Sequence, residues 1–217
     1  MIKYEPYIKR QLDALPSGKL RYTLKNDYMF KAVLQKNQTA LTGLLSALLK
    51  IPVSQIRSVS ILNPIELGKS YDAKDCMLDI KLKLNNAKII NIELQIKAQD
   101  DWPERSLTYL CRSFDQTQRG GNYGDILPTV HISILDFSLK HLTPEFFSEF
   151  MVCNTKNHEV YSDKFILYVL NLTVIEDDTI IKEPLDLYQW ALLFKATTWE
   201  ELKMLAGSSV LWVDKNS

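Results

Sequence analysis

CMLDIKLKLNNAKIINIELQIK, residues 76–97, decides the fold. Apolar and polar residues alternate with period two on both sides of an Asn-Asn-Ala turn, which predicts the two strands of a hairpin. Leu78, Ile80, Leu82 and Leu84 share one face of the first strand and leave Asp79, Lys81 and Lys83 on the other. On the second strand, Ile90, Ile92, Leu94 and Ile96 oppose Asn91, Glu93, Gln95 and Lys97. A three-residue loop at Asn85, Asn86 and Ala87 pairs Leu84 with Lys88 and, counting back, Asp79 with Glu93. A two-residue loop would set Asp79 against Ile92 and turn one apolar face the wrong way, so the pattern selects the longer loop. Directly opposed residues place their Cβ atoms roughly 5 Å apart, and two carboxylates at that separation repel unless a cation lies between them. A divalent metal is the natural cation, since Mg²⁺ is commonly held by one or two carboxylates together with waters and substrate phosphates. An ordinary hairpin with a solvated polar face satisfies the same alternation.

The chain of 217 residues suits one domain with at most a small appendage, and it is long enough to bury a substantial core. It is 46% hydrophobic and 24% charged, the balance of a soluble globular protein. Lys plus Arg equals Asp plus Glu at 26 each, so there is no global positive field and any nucleic-acid contact needs a local patch. Cys76, Cys111 and Cys153 lack metal-ligand spacing and read as buried free thiols in a reducing compartment. No apolar leader opens the chain, and no run approaches the ~18 apolar residues of a membrane span.

Outward from the hairpin, Tyr28, Met29, Ala32 and Val33 recur at helical spacing, with Asp27 in the first turn where an acid complements the helix dipole. A second helix carries Leu41, Leu44, Leu45, Leu48 and Leu49, a stripe wide enough to be packed on both sides. Residues 56–63 read as a first strand, and 64–75 as a polar loop whose acids, Glu66 and Asp72, are ordinary loop residues with some prospect of metal contact. After the hairpin, Asp101-Trp102-Pro103 opens a helix expected to run to Arg119 and stop at Gly120-Gly121. Leu107, Leu110, Cys111 and Phe114 form its apolar face. Arg105, Tyr109, Arg112 and Gln116 form the opposite one, in place of the Glu and Lys usual on exposed helix faces. Strands follow at 127–137, where His131 reads as a satisfied sheet histidine, and at 164–174, with a short helix between them near 144–150. Residues 184–206 form one or two final helices. Phosphate-loop, HExxH and GxSxG signatures are absent.

One acid on the first strand, followed by acid–x–Gln on the next, resembles the core of the PD-(D/E)XK nucleases. More closely, Leu24 to about Ile175 is similar to the Rpn family of recombination-promoting nucleases and transposases. The residues that carry this are Asn26-Asp27-Tyr28-Met29-Phe30-Lys31, Leu78-Asp79-Ile80, Asn91-Ile92-Glu93-Leu94-Gln95, Arg105…Tyr109…Arg112…Gln116, and Gly121-Asn122-Tyr123…Leu127-Pro128. The resemblance implies an α/β, restriction-endonuclease-like core, an αβββαβ mixed sheet flanked by helices. This core would span 24–175, between an N-terminal arm at 1–23 and a C-terminal helical segment at 176–217. It further implies a metal-dependent DNA endonuclease in which Asp79 and Glu93 ligate Mg²⁺, or Mn²⁺ in its place. Gln95 would stand near the attacking water, Lys97 would supply positive charge, and Asp27 is carried as a third acidic group at the rim. Arg105, Tyr109, Arg112 and Gln116 would face the nucleic acid. Gln95 departs from the general motif, which has Lys there, although Gln looks normal for the Rpn family. The expected partner is DNA in the cytoplasm, without a membrane and with a homodimer left open. A reading of a different class, a non-catalytic nucleic-acid-binding or oligomerisation module on the same fold, also accommodates the missing lysine.

Overall fold

The computed structural model describes residues 10, 12–63, 65–66, 76–77, 79–116, 121–175 and 185–207. In chain order the elements are α1 (Asp27–Lys36), α2 (Gln38–Leu49), β1 (Val59–Ile61), β2 (Ile65–Glu66), β3 (Cys76–Met77), β4 (Ile80–Leu84), β5 (Lys88–Gln95), α3 (Trp102–Phe114), β6 (Thr129–Leu135), β7 (Phe147–Cys153), β8 (Val160–Asn171), α4 (Leu185–Lys195) and α5 (Trp199–Gly207). They fall into two compact units, residues 1–55 with 177–217 and residues 56–176.

The first unit is helical. Asn26 caps α1 by accepting the Met29 N–H, and Asn37 caps α2 by accepting that of Ala40, which satisfies donors that a helix start otherwise leaves unpaired. On α2, Leu41, Leu44, Leu45 and Leu48 are all buried, as the width of their stripe requires. Phe30 of α1 meets Phe194 of α4 at 6.0 Å between ring centroids. Thr198 and Glu201 form a capping box at α5: the Glu201 N–H donates to Thr198 Oγ1, and Glu201 Oε2 accepts from the Thr198 N–H.

The second unit is built on a six-stranded mixed sheet in the order β1-β4-β5-β6-β8-β7. β1, β4 and β5 are antiparallel neighbours, whereas β5, β6 and β8 run parallel, so α3 crosses over between β5 and β6. The hairpin register is the one the alternation selects, with Leu84 opposite Lys88 and Ile80 opposite Ile92. Asn85 and Asn86 take φ of 52° and 54°, a left-handed turn that asparagine tolerates better than most residues. The Asn85 side chain also accepts the Arg57 and Ser58 N–H groups at 2.7 and 3.1 Å, which fastens the hairpin turn to the approach to β1.

Several expectations need correction. Residues 144–150 do not form a helix: Phe147–Cys153 is the edge strand β7, antiparallel to β8. β8 begins at Val160, before the expected start. The polar loop between β1 and the hairpin contains a two-stranded ladder pairing Ile65 with Met77 and Glu66 with Cys76. α3 ends at Phe114, short of Arg119. Its faces also differ, because it packs on polar as well as apolar positions of the sheet. Trp102, Ser106, Tyr109, Leu110 and Ser113 are buried, whereas Leu107 and Cys111 are exposed. Cys153 is exposed too, so neither it nor Cys111 is a buried thiol. Residues 1–9 of the arm, Asp72, Leu78 and Gly120 lie outside the described residues, as do the side chains of Glu66 and Cys76. No described helix is long and apolar enough to cross a membrane.

Asn85→Ala removes two acceptor contacts and forces a Cβ without a compensating side chain into the left-handed region. It should lower the unfolding free energy by about 1–3 kcal/mol in a urea titration.

Candidate active site

β4 and β5 present two carboxylates to each other at the open end of the hairpin. The register sets Asp79, the residue before β4, opposite Glu93, and backbone groups then fix both side chains. The Asp79 N–H donates to Glu93 Oε2 at 3.0 Å, and the Leu94 N–H donates to Asp79 Oδ2 at 2.9 Å. Each acid thus accepts from the backbone of the opposing segment. Glu93 is only 4% exposed, and its Oε1 is buried without a hydrogen-bond partner. Burial first, and then the adjacent Asp79 charge, push the Glu93 carboxyl up to about 9, so in the metal-free protein it carries a proton.

α3 lies over the face of β5 and β6 that bears Glu93, and the buried part of that face is polar. Asn91 stands opposite His131 and Glu93 opposite Ser133 across the parallel pair, and all four are buried. Asn91 Nδ2 donates to Ser113 Oγ of α3 at 2.8 Å. The Tyr109 ring leans on His131 at 5.9 Å between centroids. The histidine is not the satisfied one expected, since both ring nitrogens are buried without partners. Burial, with the Arg105 charge adding to it, holds the imidazole down to about 3 and therefore neutral.

Arg105 is half-buried and tightly placed. Its Nε donates to Tyr109 Oη at 2.8 Å and its Nη1 to Gln99 Oε1 at 3.0 Å. The guanidinium lies 5.5 Å from the Trp102 ring centroid and 5.2 Å from that of Tyr109. Its charge also acts to lower the Glu93 pKa, against the larger effect of burial.

The remaining sequence candidates are more dispersed. Gln95 is on the Glu93 face, as strand alternation requires, and its Nε2 donates to the Lys97 carbonyl at 3.2 Å. Lys97 is exposed just beyond the end of β5. Tyr109 is buried, and Arg112 is half-buried. Gln116 serves the fold: its Nε2 donates to Leu127 O and Thr129 Oγ1, and its Oε1 accepts the Leu127 N–H, which secures the entry to β6. Asp27 belongs to the helical unit, where Lys31 Nζ approaches its Oδ1 at 2.8 Å. The sequence set Asn91 on the Glu93 face without a role of its own, gave His131 as a satisfied sheet histidine and did not single out Ser133. Their signal was a polar residue at every second position of a strand otherwise made of Val, Ile and Leu.

The donor set fits a hard divalent cation. Two acids converge, backbone donors hold them together, and burial followed by the adjacent Asp79 charge raises a Glu93 pKa that a cation would lower. Among the described residues no group of three or more His, Cys, Asp or Glu side chains could hold a metal, so waters and substrate oxygens would complete the shell.

The elevated Glu93 pKa makes metal-free stability depend on pH. Between the ordinary histidine value of 6.5 and about 9, His131 is neutral in both states, whereas the folded chain keeps the Glu93 proton that the unfolded chain has released. The folded state then binds more protons, so stability falls as pH rises through this window. Urea midpoints of the protein in EDTA should decline from neutral towards alkaline pH, and Glu93→Gln should flatten the decline. An unchanged slope in that variant would place the titrating group elsewhere.

A family model described as PD-(D/E)XK nuclease family transposase matches residues 24–211, which takes in every described element from α1 to α5. No curated protein and no solved structure matches the chain. A mixed α/β sheet in the βββαβ order, with an acid on one strand and acid–x–Gln on the next, agrees with that match, and the chain belongs to the PD-(D/E)XK nuclease family of transposases.

Proposed function

We propose that the protein is a metal-dependent endonuclease that hydrolyses DNA phosphodiester bonds. The observation that supports this most directly is the reciprocal clasp of Asp79 and Glu93, two acids held together by backbone donors where the charge of one disfavours ionisation of the other. Such an arrangement is unfavourable for a purely structural pair and suits a cation-binding one. Mg²⁺, or Mn²⁺ in its place, would be held by these two side chains, and when bound it would acidify a water and stabilise charge developing on the scissile phosphate.

The chain's own residues have separable tasks. Asp79 and Glu93 bind the cation, and the backbone N–H groups of Asp79 and Leu94 keep them aligned. Gln95 stands on the same strand face, where its amide can orient a water or donate to an oxygen, though it cannot take up a proton as a lysine would. Lys97, exposed just beyond the end of β5, has a flexible ammonium and supplies cationic charge near Gln95. Arg105 has its Nε and Nη1 committed to neighbours, and among the described residues Nη2 has no partner, which leaves a rigid, oriented donor for a DNA phosphate. Arg112 adds a second cation on the same helix.

One observation favours the non-catalytic reading: one Gln95 N–H is already taken by the Lys97 carbonyl, and a glutamine here offers neither positive charge nor a base. Plasmid nicking separates the two readings. Wild-type protein should nick DNA with Mg²⁺ or Mn²⁺ and not with EDTA. Asp79→Ala and Glu93→Ala should each reduce the rate by about a hundredfold or more, the loss expected when several kcal/mol of metal-derived stabilisation disappears. Cleavage that survives both substitutions rules out this site, and DNA binding without cleavage by the wild type favours the module.

Arg105→Ala should weaken DNA binding irrespective of sequence and reduce the slope of log Kd against log salt by about one. Fluorescence anisotropy across a salt series measures it, and an unchanged slope removes Arg105 from the phosphate contacts.

A further inference from the structure

Behind Glu93, β5 and β6 carry a closed patch of polar atoms for which the metal chemistry has no use. Asn91 Oδ1, Glu93 Oε1, Ser133 Oγ and both ring nitrogens of His131 are buried and without hydrogen-bond partners. The four residues form a two-by-two block, because Asn91 is in register with His131 and Glu93 with Ser133. Directly opposed residues have Cβ atoms about 5 Å apart and successive same-face ones lie about 6.6 Å apart, which brings their polar tips within reach of one bridging water molecule. On the helix above, the buried Ser113 takes the Asn91 amide, whose Nδ2 donates to its Oγ, and leaves Asn91 Oδ1 unpaired.

A dry patch would leave five desolvated polar atoms on four neighbouring residues unpaired, a penalty comparable with the net stability of a whole domain. The donors and acceptors are also complementary to water. Asn91 Oδ1 can accept from it, Glu93 Oε1 can accept from it or, in the protonated acid, donate to it, the Ser133 hydroxyl and one His131 N–H can donate to it, and buried waters typically make two to four such bonds.

We infer that an internal hydration site lies beneath α3, lined by Asn91, Glu93, His131 and Ser133, and that Ser133 and His131 are positioning residues which orient the Glu93 carboxylate through its water. Glu93 is thereby held from both sides, by the Asp79 N–H at Oε2 and by the hydrated patch at Oε1. The hydration site itself is independent of the nuclease reading; only the consequence for metal affinity rests on it.

Two measurements test this, neither of which uses cleavage. A high-resolution crystal structure of the metal-free wild type should show water density within hydrogen-bonding distance of Glu93 Oε1 and Ser133 Oγ. Titration of Mn²⁺ followed by electron paramagnetic resonance, without DNA, should show Ser133→Ala binding about tenfold more weakly, as for other groups that orient a metal ligand. The urea midpoint of Ser133→Ala should not rise. His131→Phe retains the ring against Tyr109 and carries the same test should Ser133→Ala fail to fold. A patch without density, or a Ser133→Ala variant that is more stable and binds Mn²⁺ like the wild type, overturns the inference, because deleting an unsatisfied hydroxyl from a dry site stabilises. Water density in a wild type that binds no Mn²⁺ supports the hydration site and overturns the nuclease reading instead.

Discussion

The reciprocal clasp between the Asp79 and Glu93 segments governs the second unit. Two backbone N–H groups, each donated across the hairpin to the opposing acid, hold together side chains of which the ionisation of one disfavours that of the other. The clasp exists only in one register. A shift of a single residue would carry Glu93 to the apolar face and leave Asp79 opposite an isoleucine, so the left-handed Asn85-Asn86 turn and the Asn85 bonds to Arg57 and Ser58 bear directly on the site.

A parallel sheet covered by a crossover helix normally reads as apolar, because both faces are buried. On the Glu93 face this holds towards β8, where Trp102 and Leu110 of α3 pack with Leu135, Leu167 and Val169. Towards β5 the same helix covers Asn91, Glu93, His131 and Ser133 instead. α3 thus does two things with one face: its first turn and centre anchor it in the hydrophobic core, while Tyr109 and Ser113 roof the polar patch. A low-dielectric roof strengthens electrostatic effects near Glu93, which is why burial dominates its pKa.

Arg105 shows how the helix connects these layers. Its guanidinium lies near both the Trp102 and Tyr109 rings and is bonded to the tyrosine hydroxyl, so a residue of the core, a residue of the polar patch and a cation near the acids are fixed together. Such preorganisation reduces the conformational entropy lost when an anion is bound.

The hairpin, its register and the facing acids follow from the sequence alone, because a period-two pattern with a defined loop length admits one pairing. The leucine stripe of α2 and the helical spacing of α1 were legible for the same reason: local geometry dictates which side chains share a face. The helix expected near Pro144 was not, since a seven-residue segment takes its state from the strand beside it, and Phe147–Cys153 pairs with β8. The inward face of α3 was misread because composition alone does not reveal that a helix will dock on polar sheet positions; Tyr109 went inward and Leu107 outward. His131 was likewise indistinct as a lone residue among aliphatics. Only the parallel pairing of β5 with β6, a contact between residues some 40 positions apart, set it beside Asn91 and next to Glu93. Sequence determined which residues could converge, by periodicity; tertiary structure decided what covers them, because burial depends on neighbours that no local pattern contains.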